Sequence, residues 1–208
     1  MFAKRKPNLV FLMCVTLGFV ACGDAQEGNN GEEEEPSIPD GAQEIIDQED
    51  LNHFEENGFE VYRGSNPPNI EGSYLLDDSV ISYDEDGESN GQDLFNYTWS
   101  FSDQSGDEVQ VAYSAPEGDS ASGIGGFLAG DGDCFTLISE VEGTDSNDCS
   151  YARDHLISGC IAEDGLEGGQ TAYVTYFDTD DPDCTVEDPR GTRFVTDETD
   201  DFAPEVNE

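Results

Sequence analysis

Residues 95–101 read FNYTWSF and residues 109–113 read VQVAY, and these two stretches decide the fold. In both, large apolar side chains alternate with polar or small ones, which is the period of a strand with one buried face. A turn at Ser105 brings apolar residues opposite each other on that face. The predicted pairs are Phe101 with Val109, Trp99 with Val111 and Tyr97 with Tyr113. The sequence therefore predicts an antiparallel hairpin.

Similar segments follow one another from Ile70 to Val195, separated by clusters of Gly, Asp, Asn and Ser that favour turns. The predicted strands are Gly72–Tyr83, Leu94–Ser102, Asp107–Ala115, Gly123–Ala129, Cys134–Glu142, Arg153–Glu163, Thr171–Asp178 and Thr192–Thr196. Antiparallel strands joined by short turns predict an all-β fold, an eight-stranded up-and-down meander closed into a barrel over residues 66–196. A β-sandwich is the alternative.

A short helix is predicted before the strands, within residues 41–65. Asp47 is a favourable N-cap, Leu51 and Phe54 share one face, and Asn57-Gly58 supplies a left-handed stop. A helix this short is not stable alone, so its apolar face must dock on something larger. The strand segment 173–177 is apolar on both faces, and we expect the helix to cover its outer face.

The first 40 residues indicate export. Three basic residues, Lys4 to Lys6, precede an apolar run from Leu9 to Ala21, in the order of a secretory signal peptide. That run is too short to cross a bilayer, which takes about 20 apolar residues. We expect residues 1–21 to be the signal peptide and residues 22–40 to be a disordered acidic tether. Residues 197–208 are expected to form a disordered acidic tail.

The residues at the end of the signal peptide indicate which kind of signal peptide it is. The run Phe19-Val20-Ala21-Cys22 resembles the lipobox of bacterial lipoproteins, in which cleavage occurs before a cysteine that carries diacylglycerol. The resemblance implies that Cys22 is a lipid anchor, and Gly23 after it implies the outer membrane where the cell has one. The alternative is an ordinary signal peptide cut near Ala21 or Ala25, which would release a soluble protein.

The strand region carries a second resemblance. Gly72-Ser73-Tyr74 at the start of a β-meander is similar to the GxW motif of lipocalins and the wider calycin superfamily, with Tyr74 in place of tryptophan. The pattern 66–68 (NPP), 158–159 (SG) and 191–193 (GTR) also looks like the lipocalin-like domains of bacterial lipoproteins. This resemblance covers residues 66–196 and implies a lipocalin-like barrel. The helix that follows the barrel in lipocalins has no counterpart in residues 197–208.

The charge of the chain excludes two classes of partner. Its formal net charge is −42, and outside the signal its only lysines or arginines are Arg63, Arg153, Arg190 and Arg193. Nucleic acids and anionic lipid surfaces are bound by cationic proteins, so neither is an expected partner. An acidic surface of this kind is typical of proteins from salty environments, where the salt screens the repulsion between the carboxylates. A surface that binds divalent cations is the other interpretation.

Four cysteines lie in the strand region, and export favours their oxidation to two disulfides. A hairpin centred near Asn147 places Cys134 beside Cys160, and a second hairpin centred near Leu166 places Cys149 near Cys184. The sequential pairing, 134–149 with 160–184, is the alternative. The absence of a CxxC pair disfavours a zinc site.

No motif in the chain indicates catalysis or a cofactor, so we predict that it is not an enzyme and needs no cofactor. The loop residues Asp178, Asp180, Asp181 and Asp183 could supply oxygen ligands to calcium. A solvated acidic turn is the favoured interpretation of these residues, so we predict no metal site. His53 and His155 are expected at the surface or rim, because the sequence identifies no partners for them.

The inner face of the barrel is the remaining candidate site. It is predicted to bear Phe95, Tyr97, Trp99, Phe101, Val109, Val111 and Tyr113. A barrel of this size either holds one small ligand or fills with its own side chains. We therefore expect a monomeric cell-envelope lipoprotein, joined to the membrane through lipidated Cys22, whose barrel binds a small apolar ligand. A filled barrel serving a structural or protein-interaction role is the alternative, with the protein partner unknown.

Overall fold

A computed structural model describes residues 37–77, 79–85, 87–94, 96–116, 118–144, 148–177, 192–197, 202–204 and 206. The signal peptide, Cys22 and most of the tether lie outside the described residues. So do Phe95, Cys184 and the four calcium candidates Asp178, Asp180, Asp181 and Asp183.

The described chain is mostly β-structure. A 3₁₀ helix, Ala42–Glu44, and one α-helix, α1 (Gln48–Glu56), precede the main strands. The strands are β1 (Ser65–Asn66), β2 (Gly72–Leu76), β3 (Ser79–Asp84), β4 (Tyr97–Ser105), β5 (Glu108–Ser114), β6 (Ser120–Asp131), β7 (Cys134–Thr144), β8 (Ser150–Ala162), β9 (Gly165–Phe177), β10 (Thr192–Asp197) and β11 (Phe202–Pro204).

The strands form a closed barrel. The order of hydrogen-bonded neighbours is β2-β4-β5-β6-β7-β8-β9-β10-β3, with β1 added in parallel to β6 and β11 added to β9. Because β2 and β3 follow each other directly in the chain, the order begins and ends in the same segment. Closure follows from this, and the predicted barrel is confirmed over the alternative sandwich.

The β4–β5 hairpin forms, but its predicted register is wrong by two residues. Trp99 lies opposite Tyr113 and Phe101 lies opposite Val111. The chain turns at Gly106-Asp107, where Gly106 has a φ of 68°, and an irregularity between Ser102 and Ser105 takes up the extra length. A shift of two residues keeps every side chain on its predicted face, because the period of a strand is two.

The β8–β9 hairpin also turns at a different place from the prediction. The glycine-rich residues 165–169 indicate a turn by composition, yet they lie in β9. Ala162 instead pairs with Gly165 across a turn at Glu163-Asp164. The predicted hairpin centre near Leu166 is therefore wrong. Gly168, with a φ of 65°, sits beside an irregularity in the ladder that absorbs part of this glycine-rich run.

The disulfide prediction for β7 and β8 is confirmed. Cys134 lies directly opposite Cys160, and the two form a disulfide across 26 residues of sequence. The sequential pairing 134–149 is therefore wrong. Cys149 is also disulfide-bonded, while Cys184 lies outside the described residues.

Part of the C-terminal segment differs from the expected disordered tail. Its residues 202–204 are β11, which pairs with β9 at Gly165–Glu167. The amide of Val206 then donates a hydrogen bond of 2.7 Å to the carbonyl of Ser73 on β2. These bonds join β9 to β2 at one end of the barrel, in a part of β9 that does not pair with β10.

Two hydrophobic clusters lie on the two faces of the sheet. The inner cluster fills the barrel, and the outer cluster joins α1 and its flanking residues to the wall formed by β6–β9. Adjacent residues alternate between the clusters: Leu137 belongs to the inner one and Ile138 to the outer one. Helix α1 thus covers the outer wall, through Leu51 and Phe54, as its apolar face predicts.

Local hydrogen bonds fix the segment around α1. The side chain of Asp47 caps the helix by accepting bonds of 2.8 and 2.9 Å from the amides of Glu49 and Asp50. After the helix, the amide of Tyr62 donates to Thr136 Oγ1 on β7 at 2.7 Å. The N-terminal segment is therefore anchored to the barrel by polar as well as apolar contacts.

Candidate functional site

The predicted inner-face residues line a packed interior. Trp99, Phe101, Val109 and Val111 are each at most 3% exposed, and Tyr113 is 5% exposed. A cavity wide enough to admit water would expose the side chains around it. Phe135 of β7 contributes to this packing with its ring centre 6.4 Å from that of Phe101. Around these residues the barrel is filled by its own side chains.

One end of the barrel is polar instead. It is the end where β5 joins β6 and β7 joins β8, away from the two-residue turns at 106–107, 132–133 and 163–164. The chain places Arg153 and His155 there, on the inner face of β8, together with a ring of tyrosines. The tyrosines are Tyr97 of β4, Tyr113 of β5, Tyr151 of β8 and Tyr173 of β9.

The guanidinium of Arg153 lies among these rings. Its central carbon is 4.0 Å from the ring centre of Tyr151, 4.8 Å from that of Tyr173 and 5.8 Å from that of Tyr113. Cation–π attraction strengthens when both partners are removed from water, and the Arg153 side chain is only 12% exposed. The aromatic ring thus stabilises a cation that would otherwise be costly to bury.

A loop carboxylate completes the cluster. Asp119, the residue before β6, places Oδ2 3.4 Å from Arg153 Nη1 and accepts a hydrogen bond of 2.5 Å from the hydroxyl of Tyr151 at Oδ1. The hydroxyl of Tyr113 bonds with that of Tyr151 and accepts from Arg153. Gly143 leaves room for this arrangement, since a Cβ there would lie 2.8 Å from the Tyr151 hydroxyl oxygen.

Burial and charge shift the pKa values of these groups. Burial raises the pKa of the hydroxyls of Tyr97, Tyr113 and Tyr151 above the usual range, so all three are neutral O–H groups. For Arg153, burial works against the charge, but the neighbouring tyrosines and Asp119 outweigh it and raise the pKa. The site therefore holds a permanent cation that lies beside the Asp119 carboxylate and near the neutral hydroxyls of Tyr97, Tyr113 and Tyr151.

His155 lies deeper and is 3% exposed, which corrects the expectation of a rim histidine. Its Nε2 is 2.5 Å from Thr171 Oγ1, and that hydroxyl donates to the carbonyl of Leu156 at 3.1 Å. Because Thr171 has one hydroxyl proton, it must accept from Nε2–H, which leaves Nδ1 as the acceptor. Burial, with the nearby Arg153, lowers the pKa of His155 to about 3.

Two buried polar atoms in this part of the barrel have no hydrogen-bond partner among the residues that the structure describes. They are Nδ1 of His155 and Oγ of Ser139, which belong to directly opposed residues on β8 and β7. A cavity of about 10 Å³ reaches His155 and is lined also by Tyr97, Tyr113, Arg153, Thr171 and Tyr173. Such a volume holds at most about one water molecule.

Sequence reasoning identifies Tyr97 and Tyr113 as inner-face residues but misses Arg153, His155, Tyr151 and Asp119. A usable signal exists in β8, where Tyr151, Arg153, His155 and Ile157 occupy alternate positions. Once the buried Ile157 is assigned to the inner face, the period of two places Arg153 and His155 there as well. No such pattern marks Asp119, which reaches the cluster from a loop.

The remaining candidates from the sequence are His53, a metal site and a membrane-spanning helix. His53 is half-buried on α1, with its ring centre 6.0 Å from that of Tyr83 on β3. Among the described residues no group of three His, Cys, Asp or Glu side chains could hold a metal ion. In the same part of the chain, none of the helices has the length and apolar character needed to cross a bilayer.

Comparison of the chain with protein-family models, with curated proteins and with solved structures finds no match.

Proposed function

We propose that this chain is a lipid-anchored protein of the cell envelope that displays a solid, lipocalin-like barrel as a structural or protein-interaction module. Cys22 is the lipid anchor in this proposal, and residues 22–40 are the tether that holds the barrel away from the bilayer. Lipidated cysteines carry several acyl chains, and two are enough for stable anchoring.

The lipocalin-like part of the proposal rests on strand order. We count β2 and β3 as two halves of one strand, interrupted between Leu76 and Ser79, which gives eight strands from β2 to β10. The first half pairs with β4 and the second half with β10. An eight-stranded meander whose first strand bonds to both its neighbours is the arrangement of up-and-down lipocalin barrels.

The packed interior is the observation that favours display over transport. The aromatic face of β4 and β5 could have lined a ligand cavity, but Trp99 is 1% exposed and Phe101 is 3% exposed. Ligand pockets in proteins measure roughly 300–1,000 Å³. The cavity of about 10 Å³ beside Arg153 is far smaller than this. A carrier of apolar molecules is therefore the less favoured function.

Metabolic labelling tests the anchor. Cells expressing the full chain are grown with an alkyne analogue of palmitate, and we expect the protein to take up label and to sediment with membranes. Cys22→Ser should abolish both, whereas Cys14→Ser, within the apolar run of the signal, should leave both unchanged. Label that persists in Cys22→Ser, or that is missing from the parent chain, would refute the anchor.

Dye binding tests the solid interior. The secreted Cys22→Ser protein is titrated with the neutral apolar dye N-phenyl-1-naphthylamine, and we expect no saturable fluorescence increase. Saturable binding that quenches the fluorescence of Trp99, the single tryptophan of the chain, would contradict a filled barrel and restore the carrier function.

A further inference from the structure

The described chain before β2 covers part of the outside of the barrel, and we call residues 37–66 the strap. The strap runs from the end of the tether through α1 to β1, and its apolar side chains form the outer cluster with the wall of β6–β9. Its strand β1 pairs with only two residues at the end of β6, off the path that closes the barrel. The ladder from β2 to β3 therefore closes without any strand of the strap.

The wall under the strap is not uniformly apolar. Thr136, Ser158 and Gln170 lie opposite one another on β7, β8 and β9 and form a polar row across the outer face. At the two ends of this row the strap supplies backbone amides. The amide of Tyr62 donates to Thr136 Oγ1 at 2.7 Å, and the amide of Glu60 donates to Gln170 Oε1 at 2.9 Å. The strap is thus bound across three strands by side chains that could also hydrogen-bond to water.

The middle of the polar row gives an independent indication that the strap can leave. Ser158 Oγ is fully buried and, in the described part of the chain, has no hydrogen-bond partner. An unpaired buried hydroxyl destabilises the covered barrel, whereas water would satisfy the same hydroxyl once the strap had left. Ser158 therefore lowers the free energy that is needed to uncover the wall.

The two ends of the strap meet beside β6. The carbonyl of Ser37 accepts a hydrogen bond of 3.2 Å from the amide of Gly64, and the carbonyl of Gly64 accepts one of 3.3 Å from the amide of Gly130. The chain continues from Ser37 back towards Cys22, so a pull on the anchor acts first on the Ser37 bond. It then acts on the contacts of the strap one after another, and contacts loaded in turn break at a lower force than the bonds of a strand pair loaded together.

We propose that the strap is an extensible part of the tether, which peels off when the barrel is pulled away from the bilayer and leaves the barrel closed. This inference rests on the proposed anchor at Cys22. Residues 22–36 alone reach at most about 50 Å, and release of the strap adds about 100 Å. The barrel then reaches a partner at roughly three times the distance, which extends the range of a module displayed on the envelope.

Optical tweezers test the release on the mature Cys22→Ser chain, with one handle on an added N-terminal tag and the other on an azide-bearing residue in place of Asp133. That position lies in the turn between β6 and β7, so the strap is between the handles. We expect a first, reversible step that releases about 30 residues, or about 100 Å of contour length, at a lower force than any later step.

Three substitutions sharpen the test. Thr136→Val removes the acceptor of the Tyr62 amide, and we expect it to release the strap at least about tenfold faster at the same force. Ser158→Ala removes the unpaired hydroxyl and should release the strap more slowly than the parent chain does. Thr98→Val makes the same change as Thr136→Val on β4, outside the wall that the strap covers, and should behave as the parent.

Hydrogen exchange of the unloaded protein is a second measurement, which also serves if Thr136→Val fails to fold. The amides of Glu60 and Tyr62 should exchange at least about a hundredfold faster than those of Leu137 and Ile157, which lie in the barrel ladder. A single step that releases strap and barrel together, or equal exchange of the two sets of amides, would overturn the proposal. Failure of the anchor is read separately, from missing palmitate label, which neither of these measurements uses.

Discussion

Arg153 and Tyr151 are alternate residues of β8, and the guanidinium carbon of Arg153 lies 4.0 Å from the centre of the Tyr151 ring inside the barrel. The same tyrosine donates its hydroxyl proton to Asp119. One side chain therefore contacts both members of a buried ion pair. The chain has a net charge of −42 and few cationic side chains, and this arrangement buries one of those few.

The ion pair predicts unequal effects of single and double substitutions. Asp119→Ala leaves the buried Arg153 without this carboxylate and should lower the free energy of unfolding by about 3 kcal/mol. Arg153→Met combined with Asp119→Asn removes both charges and should recover most of that loss. Urea denaturation of the single and double variants measures the coupling, and additive losses would show that the pair does not interact.

His155 predicts a dependence of stability on pH. Its pKa is about 3 in the folded protein and about 6.5 when unfolded, so protonation favours unfolding. Its contribution to stability is fully present above pH 6.5 and is lost as the pH falls towards 3, by up to about 1.4 kcal/mol per pH unit. His155→Gln should flatten the stability profile in this window. NMR of the His155 ring at pH 5 should show the neutral Nε2–H form, and a protonated ring would contradict the assignment.

Ser158 predicts a stabilising substitution. Its side chain is fully buried on β8, and its Oγ has no hydrogen-bond partner in the described part of the chain. Ser158→Ala removes an unpaired hydroxyl and should raise the free energy of unfolding by about 1 kcal/mol. Ser100→Ala is the matched control, because Ser100 Oγ shares a hydrogen bond of 2.9 Å with Ser73 Oγ, and it should be neutral or destabilising. A loss of stability in Ser158→Ala would indicate that the hydroxyl is satisfied.

The disulfide between β7 and β8 predicts a defined peptide map. Peptic digestion without reduction should release a peptide that joins Cys134 to Cys160. Replacing both by alanine should cost about 3 kcal/mol, because the bond closes a loop of 26 residues. A peptide that joins Cys134 to Cys149 would contradict the register of β7 and β8.

The sequence predicts the barrel well because the inner and outer faces of a strand depend only on the order of residues within that strand. Alternating side chains in residues 95–101 and 109–113 assign inner and outer faces without reference to the rest of the chain. The exact register is not local: a two-residue turn at Gly106-Asp107 and a bulge after Ser102 shift the pairing without changing either face. The prediction for residues 165–169 is wrong for a related reason. Their composition indicates a turn, but their pairing with β8 places them in a strand.

The polar cluster could be predicted only in part. The polar residues of a strand are normally predicted to face solvent. Arg153 and His155 lie on the inner face instead, because aromatic rings and Thr171 replace water around them. Four tyrosines from four strands meet only after the barrel has closed. Asp119 joins them from a connection whose path depends on the strands that flank it, so its role had no signal in the sequence.

Xenon binding is the most direct test of the central claim, a closed barrel that is filled by its own side chains. Xenon enters empty apolar cavities in crystals under pressure. Crystals of the secreted Cys22→Ser protein should show no xenon among Trp99, Phe101 and Phe135, and continuous pairing from β3 to β10 around the seam. A xenon peak between those rings, or an open seam at β3, would contradict the filled and closed barrel.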